Sequence, residues 1–119
     1  DGLDEVSLSA PTSVEELRDG YLHAYSLAPE DLGLKRAPLE ELKGGSPAEN
    51  AARIRSIFGG TPGPGRDFVL LNAACALVAA SAAHDFAEGV RIAAQSIDSG
   101  AAMRALDAFV AATQAEAGA

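Results

Sequence analysis

No stretch of this chain approaches the roughly 18 consecutive apolar residues needed to cross a bilayer, and no basic segment precedes an apolar one. The sequence therefore offers neither a transmembrane helix nor a signal peptide, and a cytoplasmic setting with no membrane partner follows by default. Cysteine is nearly absent. The single Cys75 excludes an internal disulfide, and its place in the apolar run from Val69 to Ala80 reads as a small buried hydrophobe. A reactive thiol would need an electropositive, partly exposed setting instead. Basic side chains are scarce as well: nine Lys and Arg stand against seventeen Asp and Glu, for a formal charge of −8. That balance argues against nucleic acid as a partner, because backbone binding draws its affinity from clustered cations.

What is present suffices for one compact domain. A length of 119 residues with 48% hydrophobic content makes a single segment, too short to divide comfortably in two. The charge is uneven, since residues 1–49 hold eleven acids against four bases and the remainder is nearly neutral. Most of those acids read as a solvated face. Two regions differ in grammar. Residues 1–45, broken by Pro11, Pro29, Pro38 and several glycines, read as strand and loop, whereas residues 46–119 are Ala-rich and helical in period.

Ser46-Pro47-Ala48-Glu49 combines an N-cap hydroxyl, Pro at the first helical position and Glu at N3. It predicts a helix from Pro47 through Ile54, Ile57 and Phe58 to a stop at Gly59-Gly60. After the loop Thr61 to Gly65, Arg66 or Asp67 opens a second helix. Apolar nearly all round, from Phe68 to Val78, it is expected to be buried on most faces as the core helix. Asp85 caps a third helix from about Phe86 to Ile97, and Asp98-Ser99-Gly100 breaks it and caps a fourth. The fourth carries Met103, Leu106, Phe109 and Val110 on one stripe and frays over 115–119.

Residues 12–27 allow two readings. As helix, Ser13 to Glu16 resembles a capping box, with Val14, Leu17, Tyr21, Ala24 and Ala28 on one face. As hairpin, Arg18-Asp19-Gly20 turns, and Tyr21, His23, Tyr25 and Leu27 alternate. Gly20 in mid-helix would cost about 1 kcal/mol against Ala, which tilts the balance toward the hairpin.

The chain opens on Asp1-Gly2-Leu3-Asp4-Glu5, followed at once by the strand-like run Val6-Ser7-Leu8. Adjacent carboxylates beside a tight glycine turn suit a hard ion such as Mg²⁺, whose remaining shell is water and substrate phosphate. Asp4 and Glu5 also read, from spacing alone, as carboxylates that cap and solvate the start of a strand. The motif begins at the first residue with no initiator Met, as in a piece of a larger protein. Other candidates carry less chemistry. His23 and His84 lie far apart with no Ser or Cys nucleophile evidently paired to either, and Arg66 reads equally as an anion contact or as a helix start beside Asp67. Asn72, polar inside the core helix, must find a hydrogen bond, most simply to a neighbouring loop. Gly59-Gly60 and Gly63-Pro64-Gly65 do not make a phosphate loop, since neither follows a strand or ends in Lys followed by Ser or Thr.

Taken in order, several motifs resemble the C-terminal part of the anthranilate phosphoribosyltransferase family, tryptophan-biosynthesis enzymes of the nucleoside-phosphorylase-like class. They are Asp1-Gly2-Leu3-Asp4-Glu5; Tyr25 with Pro29 to Leu34; Gly44 to Ala51; Gly63-Pro64-Gly65-Arg66-Asp67; Leu71-Asn72-Ala73-Ala74 with Ala76-Leu77; and Ile97 to Ala102. Singly each is weak; the order is specific. The resemblance implies an α/β fold, with a short antiparallel strand pair at 12–27 followed by about four helices. It implies that Asp4 and Glu5 are the acidic pair holding one of two Mg²⁺ ions on the pyrophosphate of phosphoribosyl pyrophosphate, with anthranilate as the acceptor. It further implies that the glycine-rich pyrophosphate loop, a Lys-His-Gly-Asn element and an anthranilate-orienting Arg belong upstream. No catalytic or cofactor-binding residue is then expected in this segment beyond the metal pair, which would be inactive alone and part of a homodimer when complete. The rival readings are a non-catalytic helical interaction domain or inactive relative of the same fold, and a pyrimidine-nucleoside phosphorylase, which Pro29 to Leu34 and the acidic pair fit less well.

Overall fold

Asp-Gly at the tip of the first element decides its form. In the computed structural model, which describes residues 1–117, Asp19 and Gly20 both adopt positive φ, 52° and 81°. Those are the angles of a two-residue turn whose twist matches the flanking strands. Strands β1 (Thr12–Arg18) and β2 (Tyr21–Leu27) pair antiparallel in the register Thr12 with Leu27 through Arg18 with Tyr21. The hairpin reading therefore holds. A 3-10 turn (Pro29–Leu32) and a one-turn helix α1 (Leu39–Leu42) lead to four longer helices: α2 (Pro47–Phe58), α3 (Pro64–Ala79), α4 (Phe86–Asp98) and α5 (Ala101–Ala117). The architecture is α/β, a strand pair followed by helices.

Several boundaries follow the caps expected of them. The Ser46 hydroxyl accepts the Glu49 N–H, while the Glu49 carboxylate accepts the Ser46 N–H at 2.8 Å, so two donors without helical partners are satisfied reciprocally. Asp85 accepts from the Glu88 N–H at 2.7 Å and starts α4 as expected. Others differ. α3 opens at Pro64, two residues before Arg66, because Pro needs no hydrogen-bond acceptor in the first turn and its φ is already helical. The helix count rises to five among the described residues through α1, four residues too short to show a period. α5 stays helical to Ala117 where fraying was expected from Ala115; Gly118 and Ala119 lie outside the described residues.

Val6-Ser7-Leu8 is not a strand. Its backbone groups find other partners: Val6 bonds to the Asn72 side chain, the Ser7 N–H to the Thr12 hydroxyl, and the Leu8 carbonyl accepts the Ala37 N–H. With those groups satisfied, no sheet ladder is left to form.

α3 is the core helix. Its fully buried Leu71 joins Leu8, Leu27 and Ala37 in one cluster, with Val14, Phe68 and Phe86 packed around it. Leu70, one residue earlier, joins Ile57, Ala93 and Ile97 in a second. α3 thus ties the strand region to the helical region. Its contact with α4 is close enough that a Cβ on Gly89 would sit 2.8 Å from the Ala74 Cα, so only glycine fits. By contrast, Ile54 of α2 and Phe109 of α5, both expected on apolar stripes, are exposed.

Candidate metal centre

The acidic pair sits on an irregular turn, and both carboxylates face solvent. Gly2, at φ 84°, lets the chain reverse just upstream. The Asp1 carboxylate closes the turn by accepting the Leu3 N–H at 3.1 Å and the hydroxyls of Ser7 and Ser9. Ser7 is buried, and its own oxygen accepts the N–H groups of Ser9 and Ala10. Asp1 is therefore spent on the protein, whereas Asp4 and Glu5 are exposed and make no side-chain hydrogen bond or ion pair among the described residues. Glu5 lines a recess of about 330 Å³ with Leu3, Leu39, Leu42, Lys43 and Phe68.

A second clamp lies one residue past the pair. Asn72 Oδ1 accepts the Val6 N–H at 2.9 Å, and Asn72 Nδ2 donates to the carbonyls of Val6 and Phe68, each at 3.0 Å. The loop partner expected for this polar residue is thus the segment that carries the acids. The serine brace on Asp1 had no signal in the sequence, because Asp followed by Ser six and eight positions on has no periodic meaning.

Among the described residues, no group of three or more His, Cys, Asp or Glu side chains converges as a metal cage. Two adjacent exposed carboxylates fit a different kind of site, one in which Mg²⁺ keeps most of its water and takes its other oxygens from a phosphorylated substrate. The chemistry of the donor set agrees with that ion.

The remaining candidates are scattered. His23 is exposed on β2, and His84 is exposed in the turn before α4, where its backbone N–H donates to Glu88. A cavity of about 600 Å³ beside His84, between the hairpin tip and the end of α3, is lined by Glu15, Glu16, Arg18 and Asp19 and lies away from the acidic pair in sequence. Cys75 is half-buried against the first core cluster, and burial pushes its thiol pKa up, which keeps it protonated and poor as a nucleophile. Arg66 pairs with Asp98 at 2.9 Å, tying the start of α3 to the end of α4. Gly59-Gly60 and Gly63-Pro64-Gly65 form the α2–α3 connection and follow no strand. Among the described residues, no helix is long and apolar enough to span a membrane.

Residues 1–103 match the glycosyl transferase family, a/b domain. The chain is 57% identical over 107 residues to anthranilate phosphoribosyltransferase of Symbiobacterium thermophilum, covering 90% of this chain and 31% of that protein. Its fold is similar to the crystal structure of the enzyme of that name from Thermus thermophilus, with a TM-score of 0.79 and 42% identity over 93% of this chain and 33% of that one. It is also similar to the Saccharomyces cerevisiae anthranilate phosphoribosyltransferase solved in complex with PRPP and Mg, with a TM-score of 0.83 and 29% identity over 96% of this chain and 33% of the other. The chain spans about a third of the length of these relatives.

Proposed function

Because this chain belongs to the glycosyl transferase family, matching its a/b domain, we propose that a protein of full family length containing it transfers the phosphoribosyl group of phosphoribosyl pyrophosphate to anthranilate, in tryptophan biosynthesis. The segment stands for the C-terminal part of the α/β domain and supplies scaffold and metal ligands. In the reaction the anthranilate nitrogen attacks the ribose C1, the bond from C1 to the pyrophosphate oxygen breaks, and the amine sheds a proton. Negative charge grows on the departing pyrophosphate. Asp4 and Glu5 would hold Mg²⁺ against that leaving group, and the ion, when bound, neutralises the charge where it develops. The observation that carries this reading is that the pair is exposed while the neighbouring Asp1 is tied into the turn by two serines.

The scaffold role follows from what surrounds the pair. Leu8 buries the chain just after it, and α3 behind it belongs to both cores. The substrate's remaining contacts fall to the other two thirds of the family's length, so the segment alone is inactive. The complete protein is expected to be cytoplasmic and a homodimer.

The test is Asp4→Ala and Glu5→Ala in the full-length protein, followed by steady-state kinetics across a Mg²⁺ titration. Each should lower kcat by on the order of 10²-fold or more, the scale for removing one charge-stabilising contact. Since both side chains are exposed, the melting temperature should barely move. Unchanged kinetics would remove the pair from the site and favour a non-catalytic relative of the fold.

A further inference from the structure

We infer that Asn72 is a positioning residue for the acidic pair, its side-chain amide setting where Asp4 and Glu5 stand relative to α3; this rests on the reading of that pair as metal ligands. Among the described residues, the backbone from Gly2 to Glu5 makes a single hydrogen bond, from the Leu3 N–H to Asp1 within the same turn. The turn is not part of a sheet, so nothing periodic fixes it. Its first hydrogen bond to another element among the described residues is at Val6, one residue after Glu5, and there Asn72 binds both the N–H and the carbonyl of one residue, at 2.9 and 3.0 Å.

Asn72 is itself held. Its amide nitrogen also donates to the Phe68 carbonyl one turn earlier on α3, at 3.0 Å, which fixes the orientation of the amide. Leu71, its neighbour, is fully buried, so the helix at this point is packed into the first core cluster. The chain of contacts runs from core to helix, from helix to amide, and from amide to the residue adjoining the acids. A ligand pair on an otherwise irregular turn needs such a partner, because groups that orient metal ligands typically govern 10- to 100-fold in affinity. An amide also suits the task electrically: it offers a donor and an acceptor and brings no charge to compete for the ion.

The experiment uses the full-length protein and its Asn72→Ala and Asn72→Asp variants, with Mn²⁺ as a paramagnetic probe read by electron spin resonance in the presence of phosphoribosyl pyrophosphate. Kinetics and thermal midpoints are taken alongside. Asn72→Ala should weaken Mn²⁺ binding by about 10-fold or more, while saturating metal restores most of kcat and KM for anthranilate stays within about twofold. Asn72→Asp, which still accepts the Val6 N–H but no longer donates to its carbonyl, should fall between. Ser46→Ala, a cap removed at a distance from the pair in sequence, controls for general loss of stability and should leave Mn²⁺ affinity alone. The inference is overturned if a folded Asn72 variant binds Mn²⁺ as wild type does, if Ser46→Ala weakens binding equally, or if neither Asn72 variant folds. Asp4→Ala and Glu5→Ala separate the two levels. If they leave Mn²⁺ affinity intact, the metal reading itself fails; if they abolish it while folded Asn72 variants do not weaken it, only the positioning role fails.

Discussion

In α2 to α5 a backbone N–H finds its acceptor four residues back along the chain, whereas the N–H of Val6 finds its acceptor on Asn72, 66 residues away. The helical region is built from local bonds and is then assembled by packing. The region around the acids is built from distant bonds and has little regular structure of its own. One consequence is functional: a turn free of sheet or helix geometry can present two adjacent carboxylates to solvent, and it can stay in place only if another element holds it. That element is α3, which serves both regions because Leu71 and Leu70 point into different cores.

The largest expected effect separates those two cores. Leu71→Ala should cost about 2–5 kcal/mol, the range for emptying a leucine site that cannot collapse. Hydrogen exchange should show the loss first at the Ala37 N–H that bonds to Leu8 and along the base of the hairpin. Leu70→Ala should carry a similar cost but loosen α4 around Ala93 and Ile97 instead. Equal loss of protection across both regions in both variants would mean that the cores are a single cooperative unit, and the contrast between the two regions would fail.

How much of this could be read from residues alone follows the same division. The Ser46 box and the Asp85 cap stand where local rules put them, and the apolar α3 does so apart from its start at Pro64, because each rule involves residues within one or two turns. The hairpin was undecidable by periodicity. Val14, Leu17 and Tyr21 fall on one helix face, but in the strands Leu17 pairs with Leu22 and is exposed on the face opposite Val14, and what settles the matter is positive φ at Asp19 and Gly20 together with pairing across the turn. Val6-Ser7-Leu8 looked like a strand since apolar residues alternate there, yet its partners are side chains and a loop that no window of sequence contains. The acidic pair was legible as a chemical type and through a resemblance of ordered motifs. Its support was legible only in part: a polar residue in an apolar helix must be paired, but nothing in the sequence says that Asn72 pairs with Val6.

A smaller effect probes the helical side of the comparison. At Gly89 an added methyl meets the Ala74 Cα at 2.8 Å and the Ala74 carbonyl oxygen at 2.9 Å, atoms that cannot rotate away. Gly89→Ala gains intrinsic helix propensity of up to about 1 kcal/mol but must push α3 and α4 apart, an overpacking cost of about 1–3 kcal/mol. The net is destabilising and should appear as faster exchange in α4. A melting temperature at or above wild type would show that the two helices slide without penalty, and the packing of this half would then be far softer than its small residues imply.

The smallest effect tests whether local bonds in the helical region act independently of everything else. Hydrogen bonds from the Ser46 hydroxyl and then from its backbone N–H hold the Glu49 carboxyl below the usual glutamate range. The folded state thus favours the ionised form. A group depressed in this way contributes fully above its unfolded pKa of about 4.3 and loses the contribution as pH falls through the lower folded value. Ser46→Ala should cost about 1 kcal/mol near neutral pH, as N-cap removal does, and progressively less as the pH drops below about 4. Carboxyl-carbon NMR should place the Glu49 midpoint below that of a free glutamate in the wild type and move it upward in the variant. The cap lies within four residues, so the shift should leave the exchange of the Val6 N–H untouched. A change at Val6 would couple the start of α2 to the turn that carries Asp4 and Glu5, and the division between local and distant bonding would have to be redrawn there.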